Sequence, residues 1–488
     1  MLNRLFQQTC RTHGDRPALV FGNQRFSYAQ LEELVAHCAA SLGSLGAAPG
    51  YGVAMVLKNS PEFIVTFLAA ARVGAPVFLM DSGSKTSELQ RLFAENRIAT
   101  AVCEPEQMLP IEHLRAETQQ QFPIYPRAGG VLPWVGPGTE PPTRLYEDEI
   151  AIVQYTSGTT GGPKCTARSQ RNLACEAANF NATTHVTADD RVLCTVPLYH
   201  AHGFANAFLA ALYAGAALVI VDEFNRSEVL ELIRRERVTI LPGVPFMFDL
   251  LGQRAPEASG SQNSLRLVFS AGAPLPAEVA DNFQQAFGVY VRQLYGTTEV
   301  GSAAINLDPN VWASLDSVGL PMKNVRIEIF REDGSIASAG EEGEVAIQSP
   351  AMPEGYLRQP ELSRQRFHDG FFWPGDIGHR NERGYLYIRG RAPWLVSSAG
   401  RKVDPLEVEA VIVTLPKVHE AIVVGAPGPF GENIVKAVVV ARESCTEQEI
   451  IDYCRDRLAD FKVPRLVEFV GEIPRNSSGK VQRGNFVS

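Results

Sequence analysis

The segment Tyr155–Lys164, YTSGTTGGPK, carries the strongest chemical signal in this sequence. Seven of its ten residues are Gly, Ser or Thr, and they follow the apolar run Ile150–Tyr155. Glycines let backbone N–H groups approach a phosphate closely, and hydroxyls add donors to its oxygens. From Gly158 the segment nearly fits the nucleotide-loop pattern GxxxxGK[ST]. It departs at Pro163, where glycine is required, and at Cys165, where a hydroxyl would hold magnesium. A kinase or ATPase of that type is disfavoured.

Other residues invite chemistry by their setting. Lys480, in Pro474–Arg483 (PRNSSGKVQR), is a positive point charge on a loop preceded by glycine. Glu299 stands in a Gly/Thr turn just after the apolar run Val289–Leu294, a natural place for a carboxylate that meets magnesium. His200 and His202 form an HxH pair that suggests zinc, but no third ligand follows at a suitable spacing. Asn206 is polar on an otherwise apolar helical stretch, either touching substrate or satisfied in the core.

The elements that must position these residues alternate in type. Ser27 with Gln30 forms a capping box ahead of a helix. Strands are expected at Val53–Leu57, Pro76–Met80, Ile150–Tyr155, Val192–Pro197, Ala217–Val221, Val238–Leu241, Leu265–Ser270 and Val289–Leu294. Helices are expected at Pro61–Val73, Phe204–Tyr213, Ser227–Glu236, Phe246–Leu251 and Pro276–Phe287. Fully apolar strands between helices imply parallel sheets covered on both faces, with ligands beyond the carboxyl ends of the strands. After about residue 320 the pattern becomes β-rich. From about 391 it reads as a small α+β unit, with helices Pro405–Leu415 and Thr446–Leu458 and strands Glu420–Gly425, Val435–Ala441 and Leu466–Phe469.

Composition narrows the class. The 488 residues allow about three structural units at roughly 150 residues each. A net charge of −9 gives no basic footprint for nucleic acid. Eight cysteines without CxxC spacing read as reduced thiols, so the expected location is cytoplasmic. The N-terminus lacks the apolar core of a signal peptide. Phe204–Val221 is long and apolar, yet Asn206, Gly215 and the abrupt Asp222-Glu223 favour a buried helix and strand over a membrane span.

The phosphate segment resembles that of the adenylate-forming superfamily: acyl- and aryl-CoA synthetases, peptide-synthetase adenylation domains and luciferases. Further motifs follow in that family's order. Pro197–Gly203 (PLYHAHG) resembles the acyl-binding segment of the CoA-ligase branch. Ser270–Leu275 (SAGAPL) resembles the adenine-flanking turn, and Tyr295–Gly301 (YGTTEVG) the second nucleotide motif. Trp373–Gly378 (WPGDIG) matches the ribose-binding aspartate at Asp376. Gly390-Arg391 resembles the start of the interdomain hinge, and PRNSSGKVQR the closing lysine motif. The likeness runs from about Phe26 to Arg483.

The resemblance implies an α/β fold with a large N-terminal domain, 1–390, and a small mobile α+β domain, 391–488, that brings the catalytic lysine. The large domain would hold parallel-type sheets flanked by helices plus a β-rich section. The implied reaction activates a small carboxylic acid with ATP and Mg2+ to an acyl-adenylate, releasing pyrophosphate. Transfer to a thiol follows, CoA before the phosphopantetheine of a carrier protein. Catalysis of that kind is positioning plus electrostatic stabilisation. Lys480 would contact the carboxylate and the α-phosphate. Glu299 would hold magnesium with Thr160, and His200 would border and gate the acid pocket. The nucleotide would meet Thr156, Ser157, Gly158, Thr159, Thr160, Gly161 and Lys164, then Gly272, Ala273 and Pro274. It would also meet Tyr295, Gly296, Thr297 and Thr298, with Asp376 on the ribose and Arg391 near ribose and phosphate. The acid would lie along His202, Gly203, Phe204, Asn206 and Ala271.

Departures from the family pattern also matter: Cys165 follows Lys164 where glycine is usual, and Pro374 precedes Gly-Asp where threonine is frequent. The hinge, usually GRxKD, reads Gly390-Arg391-Ala392-Pro393-Trp394, so its usual pivot is lost. Ser398-Ala399-Gly400-Arg401-Lys402 replaces a common Ser-Gly-Gly turn, and its two cations could meet a phosphopantetheine phosphate. An enzyme that activates amino acids is the competing type. Many such enzymes place an aspartate at the start of the acyl-binding helix, and 200–206 contains none.

Overall fold

The computed structural model describes residues 2–84, 86–118, 122–127, 149–156, 164–253, 264–391, 396–398, 401–403, 405–427, 433–458, 460–475, 481 and 483–486. Contacts divide the chain into two compact units. One is Met1–Ile327 with Ile347–Phe372; the other is Glu328–Ala346 with Trp373–Ser488. The boundary expected at 390 lies inside the second unit, near the end of strand Leu386–Arg391.

The first unit is α/β, and two sheets carry it. In the larger sheet, strands follow one another in space as Leu320–Pro321, Gly301–Ile305, Val291–Thr297, Leu267–Ser270, Ile240–Gly243, Arg191–Cys194, Ala217–Ile220, Pro17–Phe21 and Gln24–Ser27. From Val291–Thr297 to Pro17–Phe21 every neighbour is parallel, and the edges are antiparallel. The apolar strand runs explain this arrangement, since both faces are covered. Val20, Leu193, Val219, Leu241, Val268 and Val291 form one core with Phe248, Phe283 and Val229 from the helices. The second sheet has the order Ile124–Pro126, Ile98–Cys103, Gly52–Val56, Val77–Met80, Ile150–Thr156 and Lys164–Ser169. All its neighbours are parallel except the last pair, which is antiparallel. Lys164 therefore opens a strand. In the GxxxxGK[ST] loop the lysine opens a helix, so the fold as well as the sequence departs from that pattern.

Several expected bounds move. The strand expected at Val192–Pro197 ends at Cys194, and the one expected at Val238–Leu241 runs Ile240–Gly243. The strand expected at Val289–Leu294 begins at Val291 and continues to Thr297, so Tyr295-Gly296-Thr297 belong to it. The larger correction concerns Phe204–Tyr213, expected as one α-helix. A single α-helical turn, Ala201–Gly203, leads into a π-helix, Phe204–Leu209, and α-helical geometry returns at Ala210–Ala214. Gly203 explains the irregular start. A Cβ there would lie 2.6 Å from the Val196 carbonyl oxygen and closer still to that of Pro197. Phe204–Val221 is thus interior helix and strand. No helix among the described residues is long and apolar enough to cross a membrane.

In the second unit, strands Val418–Pro427 and Asn433–Ala441 pair antiparallel, and Leu466–Phe469 pairs parallel with the second of them. Helices Pro405–Ile412 and Glu447–Arg455 pack on this sheet through Val408, Ile412, Ile450 and Cys454. A capping box of Thr446 with Glu449 starts the second helix. Strand Asp376–Arg380 pairs with Leu386–Arg391.

Candidate active site

Strands Arg191–Cys194, Ile240–Gly243, Leu267–Ser270 and Val291–Thr297 are successive parallel neighbours. The segments that leave their carboxyl ends therefore share one edge, the usual ligand edge of such a sheet. Those segments are PLYHAHG, SAGAPL and the turn bearing Glu299, far apart in the chain and side by side in the fold.

The first segment is clamped from the other sheet. Buried Asn59 donates its amide to the Val196 carbonyl (3.2 Å) and accepts from the Leu198 N–H (2.7 Å). Gln154 donates to the Tyr199 carbonyl at 2.9 Å. His200 then holds an extended backbone at the helix start, its ring 4.4 Å from that of Tyr199. His202 Nε2 lies 3.0 Å from the Gly243 carbonyl, which only accepts, so that nitrogen carries the proton. Nδ1 accepts from the Asn206 amide at 2.9 Å, and Asn206 Oδ1 accepts from the Ser302 hydroxyl at 2.7 Å. Burial of the ring pushes the His202 pKa down to about 4. His202 is therefore neutral near pH 7, with both nitrogens committed to the protein. It offers a substrate only an uncharged ring surface and leaves no nitrogen for zinc. Asn206 likewise spends its amide on His202 and Ser302.

Ala271 is buried, its N–H donating to the Gly243 carbonyl, while Gly272, Ala273 and Pro274 are exposed. Gly272 takes φ +85°, a left-handed turn that favours glycine. Tyr295 is half-buried, Gly296 exposed, and Thr297 and Thr298 half-buried. Glu299 is 6% exposed, and its Oε1 accepts from the Tyr356 hydroxyl at 2.6 Å. The Lys164 ammonium stands 5.6 Å from the centre of the same tyrosine ring. Residues 356–359 are stitched to the strand beginning at Lys164: Leu357 N–H donates to the Cys165 carbonyl, and Cys165 N–H to Gln359 Oε1 at 3.1 Å. Tyr356 thus ties Lys164, at the exit of the candidate phosphate segment, to the candidate magnesium carboxylate.

The first unit brings together His200, His202, Gly203, Phe204, Asn206, Ala271–Pro274 and Tyr295–Glu299, and links them to Lys164 through Tyr356. Thr156 ends the strand Ile150–Thr156. Asp376 and Arg391 belong to the second unit, where they are backbone partners and Asp376 is 3% exposed. Ser157, Gly158, Thr159, Thr160, Gly161 and Lys480 lie outside the described residues, as do Ala392–Trp394 of the hinge. Tyr356, Asn59, Gln154 and Ser302 carry no motif that would single them out in the sequence.

A parallel sheet whose carboxyl edge gathers these loops around a buried carboxylate defines a nucleotide-dependent enzyme rather than a scaffold. The chain belongs to the AMP-binding enzyme family, whose model matches residues 6–357, with the AMP-binding enzyme C-terminal domain matching 407–480. It is 31% identical over 470 residues to the long-chain-fatty-acid–CoA ligase FadD13 of Mycobacterium tuberculosis, covering 94% of this chain and 92% of that one. Feruloyl-CoA synthase of Amycolatopsis sp is 30% identical over 471 residues, covering 96% and 94%. Among solved structures, ATP-bound MatB from Rhodopseudomonas palustris superposes with a TM-score of 0.91 at 29% identity, covering 100% and 98%.

Proposed function

We propose that the protein is an AMP-forming acid–thiol ligase acting on a small carboxylic acid, with CoA as acceptor ahead of a carrier-protein phosphopantetheine. A carboxylate oxygen of the acid attacks the α-phosphorus of ATP and the α–β phosphoanhydride bond breaks, releasing pyrophosphate. The thiol sulfur then attacks the acyl carbon, loses its proton, and AMP departs. The observation that carries this reading is the Glu299–Tyr356–Lys164 arrangement at the shared carboxyl edge, beside the HAHG segment.

In this reading Lys164 and residues 156–161 hold the phosphates, Gly272–Pro274 and Tyr295–Thr298 border the base, and His200 flanks the acid. Asp376 and Arg391, neighbours on the second unit, serve the ribose, and Lys480 meets the reacting groups. Residues 1–390 would bind ATP and acid, and 391–488 would deliver the lysine. Magnesium is a hard cation that takes oxygen ligands. Glu299 fits it, because its carboxylate is inward-facing and only Oε1 is bonded among the described residues. Thr160 would add a hydroxyl, and the ion when bound would neutralise phosphate charge. We assign a cytoplasmic location, consistent with eight free cysteines.

The test is acid-dependent exchange of labelled pyrophosphate into ATP across aliphatic, aromatic, dicarboxylic and amino acids. Thioester formation is then assayed with CoA and with a phosphopantetheinylated carrier protein. At least one class supports exchange and one thiol takes the acyl group; exchange with none of them ends the proposal. Tyr356→Phe leaves a buried carboxylate oxygen without its donor, a cost of about 1–3 kcal/mol. The expected result is a fall of roughly tenfold in exchange rate, measured at fixed ATP and acid.

A further inference from the structure

We propose that Arg168 and Glu176, which no motif marks, form a positioning pair for the turn that carries Glu299. The inference rests on reading Glu299 as the magnesium-facing carboxylate. Arg168 lies on strand Lys164–Ser169 and Glu176 on helix Gln170–Thr184, with side chains 0% and 2% exposed. Arg168 Nη1 donates to Glu176 Oε2 at 2.5 Å. The other oxygen, Oε1, accepts from the backbone N–H of Ser302 at 3.2 Å. Between Glu299 and Ser302 stands Gly301 at φ +71°, where a Cβ would overlap the Glu176 carboxylate. The carboxylate therefore fills the space a side chain would take and grips the turn directly behind it. Ser302 passes the connection on to Asn206 and His202.

The pair is a poor stabiliser by itself. Arg168 Nε and Nη2 are buried with no hydrogen-bond partner among the described residues, so the cost of desolvating the guanidinium is only partly offset. What the pair supplies is fixed geometry. Lys164, Thr166 and Arg168 alternate onto one face of their strand. That strand thus reaches the Glu299 turn twice, through Tyr356 to the carboxylate and through Arg168–Glu176 to Ser302. Misplacement of a reacting group by about 1 Å costs up to roughly 100-fold in rate, so slack in this turn registers at the metal.

The experiment follows the magnesium concentration for half-maximal pyrophosphate exchange, alongside thermal melting. The double variant Arg168→Leu/Glu176→Leu removes the pair without stranding a charge, and Glu176→Asp keeps the charge while drawing the carboxylate back from Ser302. Both are expected to raise the half-maximal magnesium concentration about tenfold, with the acid KM little changed and Glu176→Asp melting near the wild type. Should the double variant not fold, Glu176→Asp alone decides. Glu299→Gln is the control. If it shifts the magnesium dependence and folded pair variants do not, the positioning role is overturned. If Glu299→Gln itself leaves that dependence unchanged, the reading of Glu299 falls instead.

Discussion

Lys480→Ala is expected to lower acid-dependent pyrophosphate exchange about a thousandfold while leaving ATP binding intact, the scale on which removal of one preorganised charge acts. Adenylation brings a carboxylate against a polyphosphate, two anions, and the barrier falls only if positive charge meets both as the bond forms. A lysine ammonium is a compact charge on a flexible stem, suited to arriving late. The flanks of its motif are tied to the small domain: Arg475 ion-pairs with Glu420, Arg483 with Glu409, and Arg475 forms a backbone bridge with Val481. Alanine therefore removes the charge with little reason to disturb the fold. Nucleotide affinity measured by calorimetry should stay within a few fold, since the phosphates are proposed to be held by residues 156–161 and Lys164 and not by Lys480. Exchange near the wild-type rate in this variant removes Lys480 from the chemistry.

How much of this was readable beforehand depends on whether a signal was local. The parallel sheets were legible because Val192, Leu193, Val219, Val268 and Val291 lie in short apolar runs, and the capping box at Ser27 marks a real helix start. PLYHAHG, SAGAPL and the Glu299 turn each follow such a run, and the strand order then puts them at one edge. Helix Gln170–Thr184 has only a weak apolar period, Leu173, Ala174, Ala177 and Phe180, because its buried face also includes Gln170, Glu176, Asn179, Asn181 and Thr184. Such residues enter a core only when partners await them: Gln170 donates to the Ala71 carbonyl and Asn181 to that of Ala210. Helix Leu2–His13 buries Leu2, Phe6, Thr9 and Cys10 on one side, a pattern too sparse to stand out. The Tyr356–Glu299 bond spans 57 residues, and the Glu176 contact with Ser302 spans 126. Neither partner's type announces such a contact. The π-helix is hidden for a related reason: Phe204–Leu209 is apolar in either geometry, and the choice depends on how Gly203 meets carbonyls of a preceding loop.

That approach makes Gly203→Ala the most damaging single-methyl change in the segment proposed to bind the acid. The added Cβ would collide with the carbonyl oxygens of Val196 and Pro197. Neither can retreat cheaply, since Asn59 holds Val196 and Leu198 from the neighbouring sheet and the Pro197 carbonyl accepts from the His200 N–H at 3.1 Å. The strain must move the helix start instead, shifting His200 from the place where it is proposed to flank the acid and pulling His202 off the Gly243 carbonyl. Overpacking of this kind costs about 1–3 kcal/mol of stability, and a shift of about 1 Å at the acid accounts for roughly a 100-fold loss in kcat/KM. The loss should appear in kcat/KM for the acid, with ATP affinity preserved, because Thr156 and Lys164, which flank the proposed phosphate segment, belong to strands of the other sheet. Asn59→Ala, which frees the obstructing loop, should then suppress part of the Gly203→Ala defect even though it is harmful alone. Strict additivity of the two substitutions in kcat/KM would show that the loop and the helix start do not press on one another.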